Sequence, residues 1–423
     1  SIKAGNSLFK RGLHIFIIYF AVIFGILLCV WPGMWSWDDI WELWTSYKYN
    51  QTPFYHILTS IFQQIFLQIL PFPGGIILLQ NAVISLMIAF ITVKIENVYS
   101  VFLKNKIQDT ILKLFPFFLF PILKFSLSGY RIGFYMFFEL TVLCMILYGF
   151  KEKKEKSMGY LIIFSILCAI AASWRSESFL YFILGILFLL FCKQIGNLKK
   201  RIVSAVILFI VFTVIYFSQS YLLKKEHNHN RHYLLTGSVS QAAELIRKMN
   251  KNKDAEILEK FNKVLNIEAA YNNPDTNGIT LFWDKEFVRN NYTNHELFEY
   301  HIALIKSIIK YPRTFLKERK NIIENSLRPY YSEFVESTII LFDEKNGNKY
   351  TDLWFRNTNF ILNKPLSKKI REITVNVLCL QNNPIAFKLI YNALIPLVFL
   401  IIFCFTMLIK KKFPEFIIIF FVL

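Results

Sequence analysis

An all-α integral membrane protein is the class this sequence predicts, and three observations predict it. The 423 residues are 55% hydrophobic and 17% aromatic, with a mean hydropathy of +0.40, a balance too apolar for a soluble chain of this length. Apolar runs approaching the roughly 20 residues that span about 30 Å of hydrocarbon recur from His14–Trp31 through Leu397–Ile409, and their recurrence excludes a lone signal peptide. The lysines and arginines, which set the formal net charge of +19, gather in short clusters beside those runs. That placement fits positive-inside topology and argues against a nucleic-acid partner.

The elements follow in order from those clusters. Lys3, Lys10 and Arg11 keep the N-terminus inside, so His14–Trp31 crosses outward and the loop 32–52 is external. Four apolar runs, Phe54–Leu70, Ile76–Ile95, Ile111–Phe125 and Ile132–Phe150, precede the basic loop of Lys151, Lys153, Lys154 and Lys156. An odd number of crossings is needed to bring that loop inside. Phe54–Leu70 is the run to demote, because it carries His56, Gln63, Gln64 and Gln68 between Pro53 and Pro71; a juxtamembrane or re-entrant helix suits it better than a span. Lys94, Lys104 and Lys106 then fall inside, and the Ser126–Arg131 turn outside. Tyr160–Ser173 and Phe179–Phe191 form a hairpin whose tip, Trp174-Arg175-Ser176-Glu177, reaches the outer face, since Lys193, Lys199, Lys200 and Arg201 follow. Ile202–Leu223 crosses outward, and Ala393–Ile409 returns to Lys410, Lys411 and Lys412.

Three parts result: an N-terminal transmembrane module, 1–223; an extracytoplasmic soluble domain, 224–387; and C-terminal transmembrane helices, 388–423. The chain begins without Met and ends within the apolar run Phe416–Leu423, as a piece of a longer protein would. The outer domain reads as mostly helical. Ser238 and Ser240 are N-cap candidates before Gln241–Met249, and Thr293 or Asn294 precedes the periodic Leu297, Phe298, His301, Ile302 and Ile305. Pro312 suits the first turn of a helix through Arg313–Leu327, while Asn272-Asn273-Pro274-Asp275 and Asn277-Gly278 are turns. Cys29, Cys144, Cys168, Cys192 and Cys404 lie in apolar segments and Cys379 outside them, with no disulfide framework or CxxC pattern.

Chemistry concentrates where charges meet the outer boundary. WPGMWSWDDIWELW, Trp31–Trp44, sets Asp38 and Glu42 four residues apart, on one face of a helix, with Asp39 beside them. Carboxylates there could take a proton from an acceptor hydroxyl or hold a divalent metal; equally, Asp38 or Asp39 could cap an interfacial helix within an aromatic belt of Trp35, Trp37, Trp41 and Trp44. Arg175 and Glu177 sit where two apolar runs meet, the usual place for a functional charge. The arginine could bind a lipid phosphate bidentately, or simply snorkel to headgroups with Glu177 as its partner. Arg131 is a further candidate for that phosphate. The cluster HNHNRH, His227–His232, lacks carboxylates at ligand spacing and reads as a solvated linker rather than a metal site. His56 reads as a helix-surface residue or one that supports a site rather than a ligand.

The pattern resembles glycosyltransferase superfamily C, multi-pass enzymes that use polyprenyl-phosphate-linked sugars and carry an acidic residue in the first external loop, the place that WPGMWSWDD holds here. It also looks like an uncharacterised bacterial membrane protein family with a Pro-Gly-x-x-x-aromatic-Asp loop, a proline segment soon after, and an arginine at a hairpin tip. Those features fall on Asp38, Thr52-Pro53 and Arg175 of this chain. SVSQAAELIRK, Ser238–Lys248, and KSIIKYPRTFLKE, Lys306–Glu318, are similar to a polar region of that family. One departure is Thr52-Pro53 where His-Pro is usual, which leaves His56 as the nearest imidazole that could substitute.

What the resemblance implies is an inverting sugar transfer from a polyprenyl-phosphate donor to a cell-surface glycan or glycolipid acceptor, on the outer face of a bacterial cytoplasmic membrane. Asp38 would act as general base, with Asp39 or Glu42 orienting it or helping to hold a metal. Arg175, with Arg131, would bind the lipid phosphate, Glu177 would position Arg175 or an acceptor hydroxyl, and Trp37 could stack on a sugar ring. A transporter or flippase of a lipid-linked saccharide and a non-catalytic scaffold are the rival readings.

Overall fold

A computed structural model describes residues 2–35, 37–47, 56–99, 103, 105–152, 154–175, 178–225, 235–272, 281–282, 284, 286–289, 292–327, 364–380 and 382–422. Among them there is no extended strand; two isolated bridges, Met34 with Ser128 and Leu265 with Val288, are the only β pairings. The chain divides into two compact units, Ser1–Leu222 with Pro329–Leu423, and Leu223–Arg328.

In the first unit, α1 (Ile2–Cys29) packs along α4 (Pro73–Tyr99), and their hydrogen bonds define two ends. At one, the basic end, the Arg11 guanidinium of α1 binds Glu96 at 2.7 Å and Asp109 at 3.2 Å, and Lys113 binds the same two carboxylates. At the other, the loop end, Met34 N–H donates to the Leu127 carbonyl at 2.8 Å. Both α1 and α4 are long and apolar enough to cross a membrane, as are α7 (Arg131–Lys151) and, later, α10 (Leu198–Lys225) and the segment Pro384–Ile409. Their large exposed apolar side chains, such as Ile17, Leu86, Phe209 and Phe403, suit lipid rather than water. The chain is, at this level, a multi-pass helical membrane protein.

α2 (Trp37–Tyr47) and α3 (Ile57–Ile69) lie at the loop end. The Ile57 N–H donates to Gln219 Oε1 of α10, and Trp174 Nε1 donates to Thr59 Oγ1. At its far end Leu70 touches Gly75, one residue from the glycine that abuts Trp31. Both ends of α3 therefore stay at one end of the bundle. This is the run the charge parity leaves uncrossed.

The run Ile111–Phe125 is not one helix. It is α5 (Lys106–Leu114), a 3₁₀ turn (Phe115–Phe118) and α6 (Phe120–Ser126), because Pro116 and Pro121 each remove a ladder donor and open the helix before them. The broken path still leads from Asp109 at the basic end, past Tyr19 against Phe118, to Ser126 at the loop end. α8 (Met158–Trp174) and α9 (Phe179–Phe191) form the expected hairpin; the Cys168 thiol donates to the Tyr181 carbonyl between them.

After α10 the second unit contains α11 (Val239–Lys248), α12 (Ala255–Val264), α13 (Ile267–Asn272), α14 (Asn294–Lys310) and α15 (Pro312–Leu327). Its core joins Leu235, Val239, Ile246, Phe261, Phe287 and Tyr300. Thr293 caps α14 with a reciprocal box to Glu296, and Pro312 opens α15. Asp254 gathers the N–H of Asn250, the Lys310 ammonium and the Tyr311 hydroxyl, and these donors hold its carboxyl below the usual range against the effect of burial.

The second unit ends at Arg328, well short of residue 387 where the sequence places the end of the polar domain. The difference lies in α16 (Lys368–Leu378), a polar-looking helix that buries Arg371, Val375 and Leu378 and packs on α1 and α6. Arg371 Nη2 donates to the Gly33 carbonyl at 3.3 Å. α17 (Pro384–Ile390), α18 (Leu394–Ile409) and α19 (Phe413–Val422) follow, and Glu415 of α19 pairs with Lys151 at the basic end.

Candidate active site at the loop end

The site begins with a platform. Gln80 Nε2 donates to the carbonyls of Ser126 and Ser128 at 3.2 and 3.0 Å, and Asn81 Nδ2 to Ser126 at 2.8 Å. Gln63 of α3 reaches the Gly129 carbonyl at 3.5 Å and accepts from Ser46 of α2 at 2.9 Å. The loop between α6 and α7 thus has its carbonyls satisfied by amide side chains, as a buried loop requires. Trp35 is fully buried and lies so close to Gly129 that a Cβ there would fall 2.2 Å from its ring. Gly33, at φ +114°, makes the turn that no L side chain adopts comfortably.

On this platform stands the ion pair. Arg131, the first residue of α7, donates from Nη1 to Glu42 Oε1 at 2.8 Å; the side chains are 13% and 1% exposed. Glu42 Oε2 is buried and accepts no hydrogen bond among the described residues. Asp39 is buried beside it, while Asp38 is exposed. Both aspartates lie in the first turn of α2, where negative charge complements the free N–H groups. Burial pushes the Glu42 carboxyl well above its ordinary value; Asp39 and Asp38 add to the rise and Arg131 opposes it. The inward pair on α2 is therefore Asp39 and Glu42, and Asp38 faces outward, rather than Asp38 and Glu42 sharing one environment.

His56 caps α3 at φ 75°, its Nδ1 accepting from the Leu58 N–H at 3.3 Å. Burial and the nearby Arg131 charge pull its pKa down to about 4, so the imidazole is neutral near pH 7. Arg175 ends α8 at this same end of the bundle. Its carbonyl accepts from Ser178, and the preceding Trp174 stacks on Phe62 at 5.2 Å. The cation paired with Glu42 is Arg131. Glu177, Thr52-Pro53, His227–His232 and the side chain of Trp37 lie outside the described residues. Among the described residues no three His, Cys, Asp or Glu side chains are grouped to hold a metal ion.

Two residues here escape sequence reasoning. Arg371 was hidden in a polar stretch, and burial lowers it to about 10 as it reaches into the Trp31–Trp35 turn. Glu139 lies inside a membrane-length helix and accepts from the Tyr135 hydroxyl, which also bonds Ser178, with Tyr181 a second hydroxyl partner. A lone acid within the apolar run 132–150 was its visible sign.

Compared with protein family models, curated proteins and solved structures, the chain matches none. Fold and geometry define a class: a multi-pass helical membrane protein with a buried arginine–carboxylate pair and two flanking aspartates at one end of its bundle.

Proposed function

We propose that this protein is a membrane glycosyltransferase that moves a sugar from a polyprenyl-phosphate donor to a glycan or glycolipid acceptor, on the outer face of a bacterial cytoplasmic membrane. The observation that carries the reading is the Arg131–Glu42 pair with Asp39 and Asp38 beside it. It supports the reading because a guanidinium and an exposed carboxylate, the groups that such a transfer needs, meet at one short helix and the start of α7. Arg131, with Arg175, binds the lipid phosphate. The acceptor oxygen attacks the anomeric carbon as the bond to the phosphate oxygen breaks; the electron pair leaves with the lipid phosphate, and Asp38 takes the hydroxyl proton. Guanidinium charge at the leaving oxygen is stabilising where that charge develops. Asp39 and Glu42 hold Asp38 and Arg131 in place, and would be the residues to hold a divalent cation, which would supply charge stabilisation at the leaving phosphate. The test is to supply purified protein with polyprenyl-phosphate sugars and an acceptor extract and to follow release of lipid phosphate. Asp38→Asn should abolish release while leaving the fold intact; undiminished release removes Asp38 as the base.

A second reading, carriage of a lipid-linked saccharide across the membrane, is favoured by Glu139 of α7 with its partners Tyr135 of α7 and Tyr181 of α9, since ionisable groups within spans mark substrate paths. Flipping of a labelled donor in vesicles without any release of lipid phosphate would select it.

A further inference from the structure

The stretch KSIIKYPRTFLKE, which no part of the site uses, joins α14 to α15 in the second unit. α14 buries Tyr300, Ala303 and Ser307. Its opposite side carries Phe298, Ile305 and Ile309, exposed by 62%, 58% and 75%, at spacings of seven and four residues that align them along one helical stripe. α15 repeats the design. Glu318 points inward and accepts from Ser240, while Leu316 and Ile323 are 63% and 52% exposed. Around those two lie the exposed cations Arg313, Lys317, Arg319 and Lys320, against a single exposed anion on the helix, Glu324.

An apolar stripe opposite a core, bordered by cations, has the composition of a helix lying in a membrane interface. The chain supplies the bilayer. This unit is preceded by α10 and followed by Pro384–Ile409, both long and apolar enough to span, so it is tethered to a membrane through both its ends and meets lipid at a high effective concentration. We infer that the outward faces of α14 and α15 form a docking surface for an anionic phospholipid bilayer. Phe298, Ile305, Ile309 and Leu316 enter the acyl boundary, and the α15 cations bind lipid phosphates. The inference does not rest on the transferase reading.

The test uses the full chain in nanodiscs of phosphatidylglycerol, with a photoreactive benzophenone residue replacing Phe298, Ile305 or Leu316 in turn, and replacing the exposed Glu268 of α13 as the reference position. Irradiation and mass spectrometry should find lipid adducts at the three apolar positions in roughly fivefold excess over Glu268. That excess should shrink in phosphatidylcholine nanodiscs and in the R319E/K320E variant, whose melting temperature certifies its fold. Lipid adducts no more frequent than at Glu268, an excess indifferent to lipid charge, or adducts formed with a second copy or with another part of the same chain would each overturn the assignment.

Discussion

Glu42 is a carboxylate taken almost wholly out of water, with one oxygen paired and the other accepting nothing among the described residues. Removing Arg131 would leave it buried without its cation, a change that costs about 3 kcal/mol in comparable pairs, less where the acid can protonate. Arg131→Ala should therefore lower the melting temperature in detergent, and adding Glu42→Gln to it should restore most of the loss. The same residue sets a pH dependence. Its folded-state pKa lies above the unfolded one, so its protonated form contributes stability that is complete below the ordinary carboxylate value and is lost as pH rises through the raised one. Melting temperature should fall with rising pH above the usual carboxylate range, and Glu42→Gln should flatten that slope; a slope unchanged by the substitution would remove Glu42 as its source. None of this pairing could be read from the chain, because Glu42 and Arg131 are 89 residues apart. Each was legible only as a charge near a boundary.

At the scale of elements, apolar runs and charge clusters located most of the helices, since length and composition decide what can lie in hydrocarbon. The polar residues of 54–70 pointed to a helix that does not cross, and α3 keeps both ends at the loop end. The break of 111–125 was written in Pro116 and Pro121 but masked by the apolar residues between them. α16 was hidden for the opposite reason: its mixed composition looks exposed, yet one face is buried by tertiary packing that no local pattern reports. The turn before α7 gives this scale its test. Gly129→Ala would thrust a methyl group 2.2 Å from the Trp35 ring, whereas Gly25→Ala meets nothing within 4 Å. The first should destabilise by about 1–3 kcal/mol as an overpacked core does, and the second should not; equal melting temperatures for the two variants would show that the loop yields.

For the molecule as a whole, α1, α4, α7, α8, α9 and α10 each run from one end of the bundle to the other. The ends differ in kind: one gathers Arg11, Lys113 and Lys151 with their carboxylates, the other Glu42, Arg131 and Arg371. The proposed orientation follows the positive-inside rule and puts the first in the cytoplasm. In intact cells, a cysteine replacing Asp38 should react with a membrane-impermeant maleimide, while one replacing Lys154 should react only after permeabilisation; the reverse pattern would invert the proposed orientation. The functional proposal stands or falls on lipid phosphate meeting Arg131. Equilibrium binding of a short-chain polyprenyl phosphate to the purified protein should saturate and weaken by about tenfold or more in Arg131→Ala, as loss of a charge-assisted contact requires, with Glu42→Gln binding at least as tightly as the natural protein. Equal affinity for the natural protein and Arg131→Ala would contradict the account.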